Sequence, residues 1–172
     1  MQNPAPTDIH IESGHASVGE LDIAYERWGD PSDPAVLMVM GLGSQMVLWP
    51  DALMTAMVLA GYQVIRFDNR DTGLSTKLDG QKAPNLIRLV AARRIGMELA
   101  VPYTIEVMAA DAVGLLEALR VDKAHVIGAS MGGMIAQVMA AEFPGHVASV
   151  GLIMTTTGHP GLRQPSFSLQ RR

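Results

Sequence analysis

The run Gly128-Ala129-Ser130-Met131-Gly132, extended by Gly133, sets one hydroxyl between glycines two residues to either side. A buried-type strand runs straight into it and an apolar helix runs straight out. A serine on so tight a strand-to-helix turn must accept a strained backbone, and the flanking glycines leave room for neighbouring segments to approach closely. Such a turn projects Oγ beyond the carboxyl end of its strand, where open α/β sheets place ligands. The helix behind it adds positive partial charge toward an oxygen that becomes an anion. A second glycine loop, Met40-Gly41-Leu42-Gly43, also follows a buried-type strand. There the Leu42 N–H would converge with the Met131 N–H on one oxyanion. The plain alternatives are a glycine-rich turn whose serine caps a helix, and an ordinary glycine turn between strand and helix.

The elements that must position these groups are read from changes in apolar period. Leu21, Ile23 and Tyr25 alternate with Asp22, Ala24 and Glu26, the pattern of a half-buried strand, with His10 to Ile11, before Gly14, as its hairpin partner. Gly29-Asp30-Pro31-Ser32-Asp33-Pro34 is a turn cluster. Ala35 to Met40 is apolar on both faces, as a strand covered by helices on each side must be. Pro50 to Ala60 reads as a helix, Gln63 to Phe67 as a second buried strand, and Asn85 to Leu99 as a helix carrying Arg88, Arg93 and Arg94. Another helix begins near Thr104, a fitting N-cap, with Ile105, Met108, Ala112, Leu115, Leu116 and Leu119 at steps of three and four. The strand His125 to Ala129, a helix from about Met131 to Phe143 and the strand Val147 to Thr155 complete the pattern. Strands alternating with helices predict a three-layer α/β/α sandwich with a mostly parallel sheet.

The serine turn, the glycine loop and the segment Phe67-Asp68-Asn69-Arg70-Asp71-Thr72-Gly73-Leu74-Ser75 together resemble the N-terminal half of an α/β-hydrolase-fold protein. The likeness is to the esterase branch that includes aclacinomycin methylesterase-like proteins, and it runs from residue 20 to about 160. It implies Ser130 as nucleophile, Leu42 and Met131 as the oxyanion hole, and Gly41, Gly43, Gly128, Gly132 and Gly133 as the glycines that shape loop and elbow. Asp68, Arg70, Gly73 and Ser75 match a family marker that organises the loop beside the site. Most relatives have His-Gly-x-Gly where this chain has Met40, and many have Gly where Asp71 stands. The expected activity is hydrolysis of a carboxylic ester, methyl or alkyl, through an acyl-enzyme. Cofactor-free haloperoxidase or perhydrolase chemistry is a near neighbour.

The family triad runs Ser, then Asp or Glu, then His, and here the pattern stops short. Six strands are read, no Asp follows Ser130, and Glu142 falls within the elbow helix. Of the later histidines, His146 precedes the last strand, at the sheet end opposite Ser130. His159 follows that strand and is the candidate for an improvised base. His10, His15 and His125 read as hairpin or strand-edge residues. We therefore expect an incomplete hydrolase domain over 1–157, apparently truncated after the sixth strand, with an irregular tail over 158–172. The sixth strand would be an exposed apolar edge. A catalytically incomplete fragment, or a binding module that pairs or self-associates through that edge, is the alternative.

Composition narrows the classes. A net charge of −4 with no basic stripe argues against a general nucleic-acid binder. The absence of cysteine removes thiol nucleophiles and Cys-type zinc sites. No apolar run of about 18 residues implies a membrane span and no secretory start is seen, so a cytoplasmic protein is expected. Neither a metal cluster nor a dinucleotide fingerprint is legible, since Met46 stands where a third glycine would be needed. No cofactor or metal is expected, and the partner is a small-molecule ester. Asp111 and Glu117 read as solvated helix charges, and the many methionines as core filling.

Overall fold

The hairpin that opens the structure forms because Gly19, at φ +59°, closes a tight turn between two strands that place Ala16, Leu21, Ile23 and Tyr25 in one apolar cluster. A computed structural model describes residues 9–78 and 101–158. Its strands are β1 (Ile11–Val18), β2 (Leu21–Trp28), β3 (Ala35–Val39), β4 (Gln63–Phe67), β5 (Ala124–Ala129) and β6 (Val147–Ile153). The helices are α1 (Asp51–Leu59), α2 (Ile105–Ala118) and α3 (Met131–Glu142), with short 3-10 turns at Met46–Leu48 and Pro144–His146. The strands lie in the order β1-β2-β4-β3-β5-β6. β4, β3, β5 and β6 run parallel, whereas β1 pairs with β2, and β2 with β4, antiparallel. The sheet is therefore mixed, with its parallel half carrying the site.

Two apolar clusters make this a three-layer structure. Ile23, Leu37, Val39, Ile65 and Phe67 pack against Met108, Leu115 and Leu116 of α2 and Ile135 and Met139 of α3. On the other face Trp28, Val36, Met38 and Val64 meet Met54 of α1 and Trp49. All five residues of β3 are buried, as a strand covered on both faces requires. Met38, Met54 and Met139 are fully buried in these clusters, so the methionines do fill core.

Three expectations change. Ala24, read as facing out of a half-buried strand, is buried, because residues 68–76 fold over β2: Ala24 N–H donates to Ser75 Oγ and Ala24 C=O accepts from Asp68 N–H. The last strand ends at Ile153 rather than Thr155, because Met154 adopts φ +48° and turns the chain aside. Asp111 is not solvated; it is 7% exposed and paired with Arg70. The helix read over 85–99, with Arg88, Arg93 and Arg94, and the tail from His159 onward lie outside the described residues. Among the described residues no helix is long and apolar enough to cross a membrane.

Candidate active site

Ser130 stands between the end of β5 and the first residue of α3 with φ +53° and ψ −120°, a region that L-residues avoid. Its side chain is exposed although the residues on either side of the turn are packed. The glycines explain how the backbone turns so sharply. A Cβ at Gly128 would run into the Gly132 carbonyl, and one at Gly132 into the carbonyls of Val39 and Met40. A Cβ at Gly133 would lie 2.6 Å from Thr155 Cβ. The turn itself, the passage of α3 beside β3 and the packing of Thr155 thus each require a position without a side chain.

The glycine loop after β3 lies against this turn. A Cβ built on Gly41 would sit 3.1 Å from Ser130 Cβ and 3.6 Å from its Oγ, so the Gly41–Leu42 backbone runs beside the hydroxyl. Gly43 takes φ +63°, and Ser44 N–H returns to Gly41 C=O at 3.2 Å. Among the described residues, neither the Leu42 nor the Met131 amide donates to a protein acceptor. Leu42 itself is 67% exposed.

What stiffens a loop that has Met40 in place of the usual histidine is found on the next strand. Asp68, 2% exposed at the end of β4, accepts from Met46 N–H through Oδ1 at 2.7 Å and from Leu74 N–H through Oδ2 at 2.8 Å. Asn69 Nδ2 donates to Met40 C=O at 3.0 Å. Two adjacent side chains therefore hold both ends of the 40–46 segment. Gly73, at φ +49°, is glycine because a Cβ there would occupy the space of the Asp68 carboxylate. Ser75 Oγ donates to Asp68 C=O at 2.6 Å. Arg70 reaches Asp111 of α2 through Nε and Nη2, each at 2.5 Å, tying this loop to the helix layer. Asp71 adopts φ +66°, a backbone region that favours glycine, and its Oδ1 accepts from Leu78 N–H at 2.8 Å. Its Oδ2 accepts from the Tyr103 hydroxyl, whose pKa is raised by burial and by this carboxylate.

None of the described histidines reaches Ser130. His146 lies in the 3-10 turn before β6, at the sheet end opposite Ser130, 3.8 Å from Glu117, which is solvated as expected. His125 bonds Ser149 Oγ at 2.8 Å, and His15 lies 3.2 Å from Leu74 C=O. Glu142 closes α3, about 17 Å along the helix from the serine. His159 lies outside the described residues.

The fold and this strained serine turn define an α/β hydrolase. The family model for the alpha/beta hydrolase fold matches residues 34–170, and the chain belongs to that family. It is 31% identical over 135 residues to rhodomycin D methylesterase DnrP of Streptomyces peucetius, covering 78% of this chain and 39% of the relative. The corresponding methylesterase DauP of a Streptomyces species is 30% identical over the same length, with the same coverage of both chains. Among solved structures, a 2-hydroxy-6-oxo-6-phenylhexa-2,4-dienoate hydrolase from Rhodococcus superposes with a TM-score of 0.69 at 21% identity, over 91% of this chain and 50% of that one. The chain thus spans about two fifths of the curated relatives it matches.

Asp111, Asn69 and Thr155 are site-supporting residues that the sequence reading missed. For Asp111 the available signal was its position on the apolar side of α2, between Met108 and Leu115.

Proposed function

We propose that Ser130 is the nucleophile of a carboxylic-ester hydrolase and that the Leu42 and Met131 amides hold the oxyanion. Ser130 Oγ attacks the ester carbonyl, forming the O–C bond as its proton leaves to a base, and the carbonyl oxygen takes the negative charge. The tetrahedral species collapses by breaking the bond to the alkoxy group, which departs as the alcohol with a proton. Water then releases the acid from the acyl-enzyme. The observation that carries this reading is the exposed serine at φ +53°, set where, among the described residues, two amide donors lack protein acceptors. The names of the methylesterase relatives favour a methyl ester.

A serine without a base is a weak nucleophile. In this reading the base and acid come from the part of a hydrolase fold that the relatives have and this chain does not span. The test is complementation: the chain is mixed with the C-terminal portion of the Streptomyces peucetius methylesterase and assayed on an activated ester. Serine-dependent turnover, lost in Ser130→Ala, is the expected result. Equal turnover by Ser130→Ala would refute the mechanism.

A second reading, an assembly module, is favoured by one observation. β6 pairs only with β5 among the described residues and leaves Leu152 and Ile153 exposed, with Met154 exposed just beyond it. Light scattering that finds a strictly monomeric, folded chain at high concentration would remove it.

A further inference from the structure

We infer that Thr155 is a positioning residue that holds Ser130 in its strained conformation, an inference that rests on reading Ser130 as the nucleophile. A non-glycine residue at positive φ persists only when its surroundings over-determine it. Three hydrogen bonds do so here. Ser130 N–H donates to Ile153 C=O at 2.9 Å, while Ser130 C=O accepts from Gly133 N–H at 3.0 Å and from Thr155 Oγ1 at 2.6 Å. The first two are backbone bonds that any sequence could make. The third is the single side-chain contact in the set, and it comes from the segment just after β6 rather than from the elbow itself.

The path of the chain is arranged to deliver it. Met154, 86% exposed, takes φ +48° immediately after β6 and swings the next residue toward the elbow. Thr155 then fills the space above Gly133, where a Cβ would stand 2.6 Å from its Cγ2. Gln137 Nε2 links the same two segments, donating to Gly133 C=O at 3.0 Å and Thr156 C=O at 3.3 Å. The Ser130 carbonyl is thereby fixed from outside α3. Rotation of the 130–131 peptide would break the Thr155 bond and redirect the Met131 N–H that the proposed oxyanion hole uses.

The experiment compares Thr155→Val, which keeps the shape and loses the donor, with Thr155→Ser, which keeps the donor. Amide hydrogen exchange is followed residue by residue in the folded chain. Loss of one hydrogen bond predicts about fivefold faster exchange at Ser130 and Gly133 in Thr155→Val, with amides of the β1–β2 hairpin unchanged. Thr155→Ser is expected to stay within about twofold of the parent chain. Unchanged local exchange in Thr155→Val, uniform acceleration of all amides, or equal behaviour of the two variants would overturn the inference. Reaction of Ser130 with a fluorophosphonate, measured in the same samples, separates the two claims. Local exchange that responds as expected, with no labelling of the parent chain even when it is complemented with the C-terminal portion of the Streptomyces peucetius methylesterase, supports the positioning role and refutes the nucleophile reading.

Discussion

Replacing Asp68 by Asn tests how the loop beside the serine is held. The carboxylate is 2% exposed and accepts two backbone N–H bonds at 2.7 and 2.8 Å, one from the loop after β3 and one from the loop after β4. Asn keeps the shape and one acceptor oxygen but presents an amide nitrogen to the other N–H. One charge-assisted bond, about 1.5–3 kcal/mol, is lost, and a buried donor is left facing a donor. Part of this is relieved by loop movement, so the net cost is set at about 3 kcal/mol. That is below the about 5–15 kcal/mol that holds a typical domain, and the variant should still fold. In urea, with a slope of about 2 kcal/mol/M, the midpoint should fall by about 1.5 M at unchanged slope. Leu42 lies in the loosened segment, so reaction of Ser130 with a fluorophosphonate should slow as well. A midpoint shift below about 0.3 M would show that Asp68 does not clamp the two loops.

Gly132→Ala places a methyl against the Val39 and Met40 carbonyls and should cost about 2–3 kcal/mol. Gly145→Ala, with nothing within 4 Å, should stay within about 0.5 kcal/mol, and urea unfolding of both checks the contrast. Arg70→Met strands the Asp111 carboxylate in a buried setting and should lower Tm by about 10 °C. Adding Asp111→Leu should restore most of the loss, as calorimetry would show. Burial, with a 2.7 Å hydrogen bond to Glu12, pushes the Tyr25 hydroxyl up to about 12. A raised folded pKa means its contribution is complete below about pH 10 and is lost as pH climbs toward about 12. The stability difference between the parent chain and Tyr25→Phe should shrink across that window in alkaline urea titrations.

The centre of the parallel half of the sheet was legible because β3 is buried on both faces and reads as an unbroken apolar run, Ala35 to Val39. The elbow was legible because Gly128, Gly132 and Gly133 are steric requirements with no substitute. Long-range polar contacts were not. Asp111 looked like an ordinary helix charge because its partner, Arg70, stands 41 positions earlier and no local pattern links them. Asn69 and Thr155 likewise act across strands, on Met40 and Ser130, and a short polar side chain gives no periodic signal of a distant carbonyl. The β6 boundary was misplaced because apolar character continues through Met154 while the backbone has already left the strand.

Whether Ser130 is set up as a nucleophile is decided by covalent labelling. The chain, alone and complemented with the C-terminal portion of the Streptomyces peucetius methylesterase, is treated with a fluorophosphonate and the modified residue located by peptide mass spectrometry. Phosphonylation is expected at Ser130 in the complemented sample, and none in Ser130→Ala. Labelling at another serine, or equal labelling of Ser130→Ala, would contradict it.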